Sequence, residues 1–435
     1  MDLSAIEQEI IDGRTKGMPP GMPPVALRDI GKQGWNLLRE DLPLPLAVIK
    51  QSALDQNSHF MREFLARTGA VIAPHGKTTM SPQLFAKQFD DGAWAITVAT
   101  AQQMKVAHRF GVERIVIANQ LIGKQAIRYA FEALKADPKL DLYCLVDSVE
   151  NVTALRDAAA AIAPGRPLKL LLEGGLPGGR TGCRSVDAAV AVARAVKAAA
   201  PHLTLVGVEG FEGLAFGDPP KSGPETASAF LDLLLAIAKA CDDQDLFAPQ
   251  SEGGEVILSA GGSAYYDIVV DKFKSTNLRR PTRVVTRSGC YLTHDSKLYD
   301  DFFKNIVGRS ADAAAIKGGL IPALEVWAYV QSRPEPGKAI LTVGRRDISF
   351  DVHLPVPQLW ARPGANKPQR LSPAHTVTGL NDQHCHMALP ADSPLAVGDM
   401  VSFGISHPCT TFDKWQVLCL VDDDYSVIGA IKTFF

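Results

Sequence analysis

Several stretches of the sequence hold residues whose types and spacing suit covalent or metal chemistry. Pro74-His75-Gly76-Lys77-Thr78 follows the apolar run Ala70-Val-Ile-Ala73. A lysine amine at such a strand end is a nucleophile toward carbonyl groups, although a lone lysine there is ordinarily a solvated charge. Glu173-Gly-Gly-Leu-Pro-Gly-Gly-Arg180-Thr-Gly182-Cys-Arg184 follows another apolar run. Its glycines permit close backbone approach to a ligand, and Arg180 and Arg184 add fixed positive charge; a flexible loop is the plainer reading. Ser259-Ala-Gly261-Gly262-Ser263 can aim backbone N–H groups and a hydroxyl at a phosphate. Arg287-Ser-Gly289-Cys290-Tyr291 offers a second close approach one strand later.

The third kind of chemistry is metal binding. In an extended His407-Pro408-Cys409 the first and third side chains share a face, and nitrogen plus sulfur suits zinc at ~2.0 and ~2.3 Å. Two ligands leave positions open for water or substrate. A buried cysteine beside a hydrogen-bonded histidine is the alternative. Asp382-Gln383-His384-Cys385-His386 holds a rival pair, His384 and His386, at the same spacing.

These residues need a scaffold. Short apolar stretches at 46–49, 70–73, 95–98, 114–118, 141–146, 168–172, 203–208, 256–259 and 283–286 alternate with amphipathic stretches such as 53–68, 82–90, 101–110, 123–136, 149–160, 186–199 and 224–243. Such alternation implies parallel βαβ units. About eight of them favour a closed (β/α)8 barrel, whose working residues lie after the C-terminal strand ends. Past about residue 310, Val/Ile/Leu/Thr/Phe alternation broken by Pro and Gly reads as a mostly-β domain. A helix at 4–12 and the extended Pro/Gly connection 17–24 precede the body. The expected division is 1–40 as an N-terminal segment continuing into the β domain, 41–300 as the barrel, and 301–435 as the C-terminal β domain.

The totals exclude other classes. The 435 residues suffice for a barrel and a smaller domain, and 46% hydrophobic with 21% charged residues is ordinary for a globular chain. A formal net charge of -2 gives no reason to expect nucleic acid or an anionic membrane as partner. No apolar run approaches the ~20 residues of a bilayer span. The first residues are acidic and lack the pattern of a signal peptide, so a cytoplasmic protein is expected. Seven scattered cysteines argue for reduced thiols rather than a disulfide framework.

Taken in order, these motifs resemble the fold-type III pyridoxal-phosphate enzymes of the eukaryotic-type D-serine dehydratase and D-threonine aldolase family. The resemblance rests on Pro74-His75-Gly76-Lys77-Thr78, Ile117-Ala118-Asn119-Gln120, Val146-Asp147-Ser148, Arg180-Thr-Gly182, Ala260-Gly-Gly-Ser263, Arg287-Ser-Gly-Cys-Tyr291, Asn381-Asp-Gln-His384 and Ser406-His407-Pro-Cys409. It covers roughly residues 40 to 430. It implies an alanine-racemase-like (β/α)8 barrel plus a C-terminal mostly-β domain, assembled as a homodimer. It also implies that Lys77 carries pyridoxal 5'-phosphate, that Arg180 sits near the cofactor ring, and that Gly261, Gly262, Ser263, Gly289, Cys290 and Tyr291 hold the phosphate. His407 and Cys409 become ligands of Zn2+ or another divalent ion, and His384 a pocket residue with a catalytic part. The longer N-terminal segment and Cys385-His386 depart from the family pattern.

The implied reaction is dehydration of D-serine- or D-threonine-like substrates to a 2-oxo acid and ammonia. Lys77 would take the Cα proton, and the metal would stabilise the departing hydroxyl. A D-threonine aldolase uses the same parts to break Cα–Cβ; Cys409, where aldolases tend to carry aspartate, favours the dehydratase. A racemase gives the metal no task. A non-catalytic cofactor-binding protein does not need the C-terminal domain.

Overall fold

The computed structural model describes residues 1–214, 223–248 and 254–435. It divides into two compact units, one comprising Met1, 64–77 and 88–289, the other 2–63, 78–87 and 290–435.

The first unit is built on eight parallel strands. They are β1 (Val71–Ile72), β2 (Ile96–Val98), β3 (Arg114–Gln120), β4 (Asp141–Val146), β5 (Leu168–Gly174), β6 (Leu203–Gly210), β7 (Val256–Ala260) and β8 (Thr282–Thr286). The ring closes where β1 meets β2: His75 and Thr97 form a parallel bridge. There the Trp94 N–H donates to the Ile72 carbonyl at 2.8 Å and the Thr97 N–H to that of Pro74 at 2.9 Å. Inward-pointing residues of successive strands, among them Ala73, Val116, Tyr143, Leu171, Val206, Ile257 and Val285, pack into one buried interior cluster. That is the filled centre expected of a barrel rather than a pore.

Helices return the chain between strands, and several start on a capping side chain that takes up an otherwise unpaired N–H. Thr100 accepts from Gln103, Ser148 from Asn151 and Ser185 from Ala188. The helices run Ala101–Arg109, Lys124–Ala136, Val149–Ile162, Val186–Ala198, Pro224–Asp243 and Tyr266–Lys274. None among the described residues is long and apolar enough to cross a membrane.

The second unit is centred on the long strand Leu324–Glu335, which pairs antiparallel with Leu46–Lys50, Lys338–Leu341 and Met400–Gly404. Leu46–Lys50 also pairs in parallel with Val417–Val421. At its core Trp327 donates to Glu325 at 2.8 Å, Tyr425 donates to the same carboxylate at 3.1 Å, and the two rings meet edge to face.

Four expectations are corrected here. The apolar stretch at 46–49 is a strand, but it belongs to the second unit's antiparallel sheet and not to the barrel; a short buried run carries no label saying which sheet completes it. The division at residue 40 therefore moves, since the second unit takes the chain through Glu63 and again from Thr78 to Lys87. The helix expected at 4–12 is one turn, Ser4–Glu7, followed by Ile10–Ile11 pairing with Val25–Ala26. The segment at 17–24 is no free tether either. Met18 is buried, and just before it Lys16 lies 3.9 Å from the Trp415 ring and pairs with Asp347 at 2.7 Å. Burial within the second unit outweighs helical periodicity at these early residues.

Candidate active site

Three cations, Lys77, Arg180 and Arg287, lie close enough to the His75 ring to act on its charge. Lys77 lies in the single 3-10 turn Gly76–Thr78 beyond β1, the strand-end position its sequence context predicts. Beside it, His75 keeps its ring well below the ordinary imidazole value through burial and the positive charges of Lys77, Arg287 and Arg180. Among the described residues the buried His75 Nδ1 has no hydrogen-bond partner, and neither has Arg287 Nε.

The glycine-rich loop after β5 is wired in place. Arg184 donates to the carbonyls of Thr181 at 2.6 Å and Gly182 at 2.9 Å, so its charge serves the loop rather than a ligand. The Gly182 N–H donates to Asp147 at 2.9 Å, and Thr181 Oγ1 to Glu173 at 2.9 Å. Gly182 holds φ at +98°, and a Cβ there would lie 2.6 Å from the Gly174 carbonyl carbon. Only glycine fits such a crossing. The loop presents Arg180 outward, its guanidinium 4.9 Å from the Phe211 ring.

The two late turns are stitched together. The Arg287 N–H donates to the Gly261 carbonyl at 3.0 Å, and Ser288 Oγ to the Gly262 carbonyl at 3.1 Å. Arg287 pairs with Glu209 at 2.6 Å and donates to the Gly210 carbonyl at 2.8 Å. Burial raises Glu209 to about 8 despite that cation. Glu212, fully buried, accepts from the N–H groups of Gly261 at 2.9 Å and Gly262 at 2.7 Å. Of the expected phosphate ligands, Gly261, Gly262, Ser263 and Gly289 thus lie in the first unit, while Cys290 and Tyr291 begin the second.

Three cations, a pair of ring and guanidinium nitrogens without partners, and two abutting turns form a receptor for an anion-bearing cofactor, and pyridoxal phosphate fits it. Glu209 and Glu212 stand outside every motif singled out from the sequence, whereas Arg287 heads one of them. Acidic residues at the end of an otherwise apolar strand were the available signal.

The metal candidates sit in the second unit, in a geometry unlike the extended one expected. Pro408 is helical, with φ -58° and ψ -37°, and Cys409 opens the short helix Cys409–Phe412. His407 Nδ1 nevertheless donates to Asp351 at 2.6 Å. That leaves Nε2 as the ring atom that could coordinate an ion, the arrangement in which a carboxylate orients a ligating imidazole. Burial opposes the charged form of His407, but hydrogen bonds to Cys409 and Asp351 outweigh it and raise the ring to about 9.

Cys290 lies 3.9 Å from Cys409, sulfur to sulfur, and Thr78 Oγ1 3.5 Å from Cys409. Hydrogen bonds from Cys290 and His407 hold the Cys409 thiol well below its ordinary value. A readily formed thiolate and an oriented imidazole fit a divalent ion. Among the described residues no three His, Cys, Asp or Glu side chains form a larger ligand group. His384 is exposed in the turn between Thr376–Leu380 and Cys385–Ala388, and His386 bonds Asn381 at 2.7 Å. The structure thus brings His407 and Cys409 together and leaves the rival histidines on a surface hairpin.

Comparison with known proteins agrees with this architecture. Residues 49–251 match the alanine racemase N-terminal domain, and residues 323–421 the putative serine dehydratase domain. A 3-hydroxy-D-aspartate aldolase of Paracoccus denitrificans (strain Pd 1222) is 24% identical over 319 residues, 72% of this chain and 75% of the relative. The D-threonine aldolase of Filomicrobium marinum superimposes with a TM-score of 0.73 at 19% identity, over 92% of this chain and 97% of that one. A D-threo-3-hydroxyaspartate dehydratase variant in a metal-free form gives 0.69 at 22% identity, over 92% and 99%. At these identities the structural likenesses show the alanine-racemase-like fold. The chain thus carries an alanine racemase N-terminal domain and a putative serine dehydratase domain on one alanine-racemase-like fold.

Proposed function

We propose that the chain is a pyridoxal-phosphate-dependent lyase that dehydrates β-hydroxy D-amino acids, assisted by a divalent ion, zinc by its ligand chemistry, at His407 and Cys409. The observation that carries this reading is Lys77 at the end of the first barrel strand, in a mouth it shares with Arg180 and Arg287.

When bound, pyridoxal phosphate supplies an electron-withdrawing ring that stabilises negative charge at the substrate Cα. A bound divalent ion supplies a Lewis acid for the β-hydroxyl. The chain's own residues do the rest. Lys77 anchors the cofactor, and its amine, once released, accepts the Cα proton at Nζ. Arg180 and Arg287 set the positive potential that draws a carboxylate- and phosphate-bearing complex into the mouth. Asp351 keeps the His407 ring turned so that Nε2 faces outward from the carboxylate. D-threonine would lose water from Cα and Cβ, and the released enamine, as its imine, would take up water to give 2-oxobutanoate and ammonia; D-serine would give pyruvate and ammonia in the same way.

The aldolase reading has a specific observation in its favour, the likeness to a protein named 3-hydroxy-D-aspartate aldolase. Incubation of the purified protein with D-threonine or 3-hydroxy-D-aspartate, pyridoxal phosphate and zinc decides between them. Dehydration yields 2-oxobutanoate or oxaloacetate with ammonia; aldol cleavage yields glycine with acetaldehyde or glyoxylate. The family also leads us to expect a homodimer, which light scattering on the eluting protein measures directly. A catalytic part for His384, exposed in this chain, requires a covering second subunit. Its test is loss of turnover in His384→Ala with an unchanged cofactor spectrum.

A further inference from the structure

Glu212 lies in none of the motifs discussed above, yet it touches the turn on which the cofactor reading depends. It follows β6, in the 3-10 turn Glu212–Leu214, with none of its surface exposed. Both carboxylate oxygens are engaged, one by the Gly261 N–H at 2.9 Å and the other by the Gly262 N–H at 2.7 Å. The same turn is held from the opposite side, since its carbonyls accept from the Arg287 N–H and Ser288 Oγ. Gly261 stands at φ +91°, a conformation that glycine adopts without strain. The Phe211 ring closes the space in front of Gly262, where a Cβ would come within 2.7 Å of a ring carbon.

The geometry points to Glu212 as a positioning residue for the cofactor phosphate: it clamps the Gly261–Gly262 turn so that the following residue, Ser263, presents its N–H and hydroxyl. This rests on the proposal that the barrel mouth takes pyridoxal phosphate. It revises the simple picture in which every N–H of the turn binds phosphate, because the N–H groups of Gly261 and Gly262 already serve a carboxylate. A dianionic phosphate beside an accepting carboxylate would be repelled. One residue further on, the phosphate meets unspent donors on a turn whose shape is fixed in advance, and preorganisation of this kind is what raises affinity.

The competing arrangement is a stopper: Glu212 occupies the phosphate's place in the cofactor-free protein and is expelled on loading. The two predict opposite signs. The test measures binding of pyridoxal phosphate and of pyridoxal, which lacks the phosphate, to cofactor-free wild type, Glu212→Gln and Glu212→Ala. Pyridoxal controls for general damage to the mouth. If Glu212 is the clamp, pyridoxal phosphate binds Glu212→Ala about tenfold or more weakly than wild type. Glu212→Gln, which keeps one acceptor oxygen, falls between them, and pyridoxal affinity stays nearly constant.

Equal or tighter pyridoxal phosphate binding by either variant overturns the clamp. Should Glu212→Ala not fold, Glu212→Gln alone carries the sign, since the stopper requires it to bind more tightly once its charge is gone. A wild type that binds no pyridoxal phosphate overturns the cofactor reading and this inference with it. Normal wild-type loading with indifferent variants overturns this inference alone.

Discussion

His407 and Asp351 are joined by a 2.6 Å hydrogen bond through Nδ1, although 55 residues of chain separate them. Asp351 follows a loop that no metal motif would include, yet it decides which ring nitrogen of His407 is free. Replacing it with asparagine should weaken divalent-metal affinity by about 10–100-fold while the protein stays folded. Competition against a chromogenic chelator measures this. Unchanged affinity would remove the orienting role of the Asp351 carboxylate.

Lys77 anchors the cofactor reading, and its substitution has two readouts. Lys77→Ala should lose the visible absorbance of the bound cofactor and at least about 100-fold in turnover. A variant retaining the wild-type spectrum would show that another lysine carries the cofactor.

His294 supplies a pH dependence. It is 2% exposed, stacks edge to face with Phe303 at 5.8 Å, and faces Asp300 and Lys304. Burial lowers its pKa from 6.5 to about 4. The folded state therefore binds fewer protons than the unfolded one between those values. The stabilising contribution is fully present above about pH 6.5 and is lost as pH falls toward 4, by at most about 3 kcal/mol. His294→Asn tolerates the positive φ of 49° at this position and should flatten that acid limb in urea-unfolding midpoints measured across the window. An equally steep limb in the variant would assign the acid sensitivity elsewhere.

Gly182→Ala tests the loop that presents Arg180. The added methyl meets the Gly174 backbone at 2.6 Å with φ at +98°. A loss of about 1–3 kcal/mol in stability is expected from strain of this kind, together with weaker pyridoxal phosphate binding as Arg180 shifts. Retained stability and affinity would mean the crossing relaxes without cost.

The barrel was legible because its signal is repeated. Each strand is a short apolar run and each connecting helix a longer amphipathic one, and helices such as Pro82–Asp90 and Pro224–Asp243 fall on the residues that periodicity indicates. Lys77 was legible for the same reason, as a polar residue just past an apolar run. Where pairing partners are distant the signal fades. Leu46–Lys50 reads like any barrel strand, and only its neighbours, Leu324–Glu335 and Val417–Val421, reveal the other sheet. Ile10–Ile11 forms a strand that local periodicity assigns to a helix. At the site, spacing brought His407 and Cys409 together for the wrong reason, since the intervening Pro408 is helical. Asp351 and Glu212 act through contacts across long stretches of chain, which no local pattern encodes.

The route of the chain between its two units has a consequence for how the protein can be divided. The unit containing Leu324–Glu335 draws residues from three separate stretches, 2–63, 78–87 and 290–435. Its sheet lacks a strand until Leu46–Lys50, made early, meets partners made some of the last. A single break in the gene thus cannot release either unit intact: a protein ending near residue 289 leaves an early strand with an unpaired edge, and one beginning near residue 290 lacks a strand from its sheet. The two halves are distinct in architecture but inseparable in inheritance.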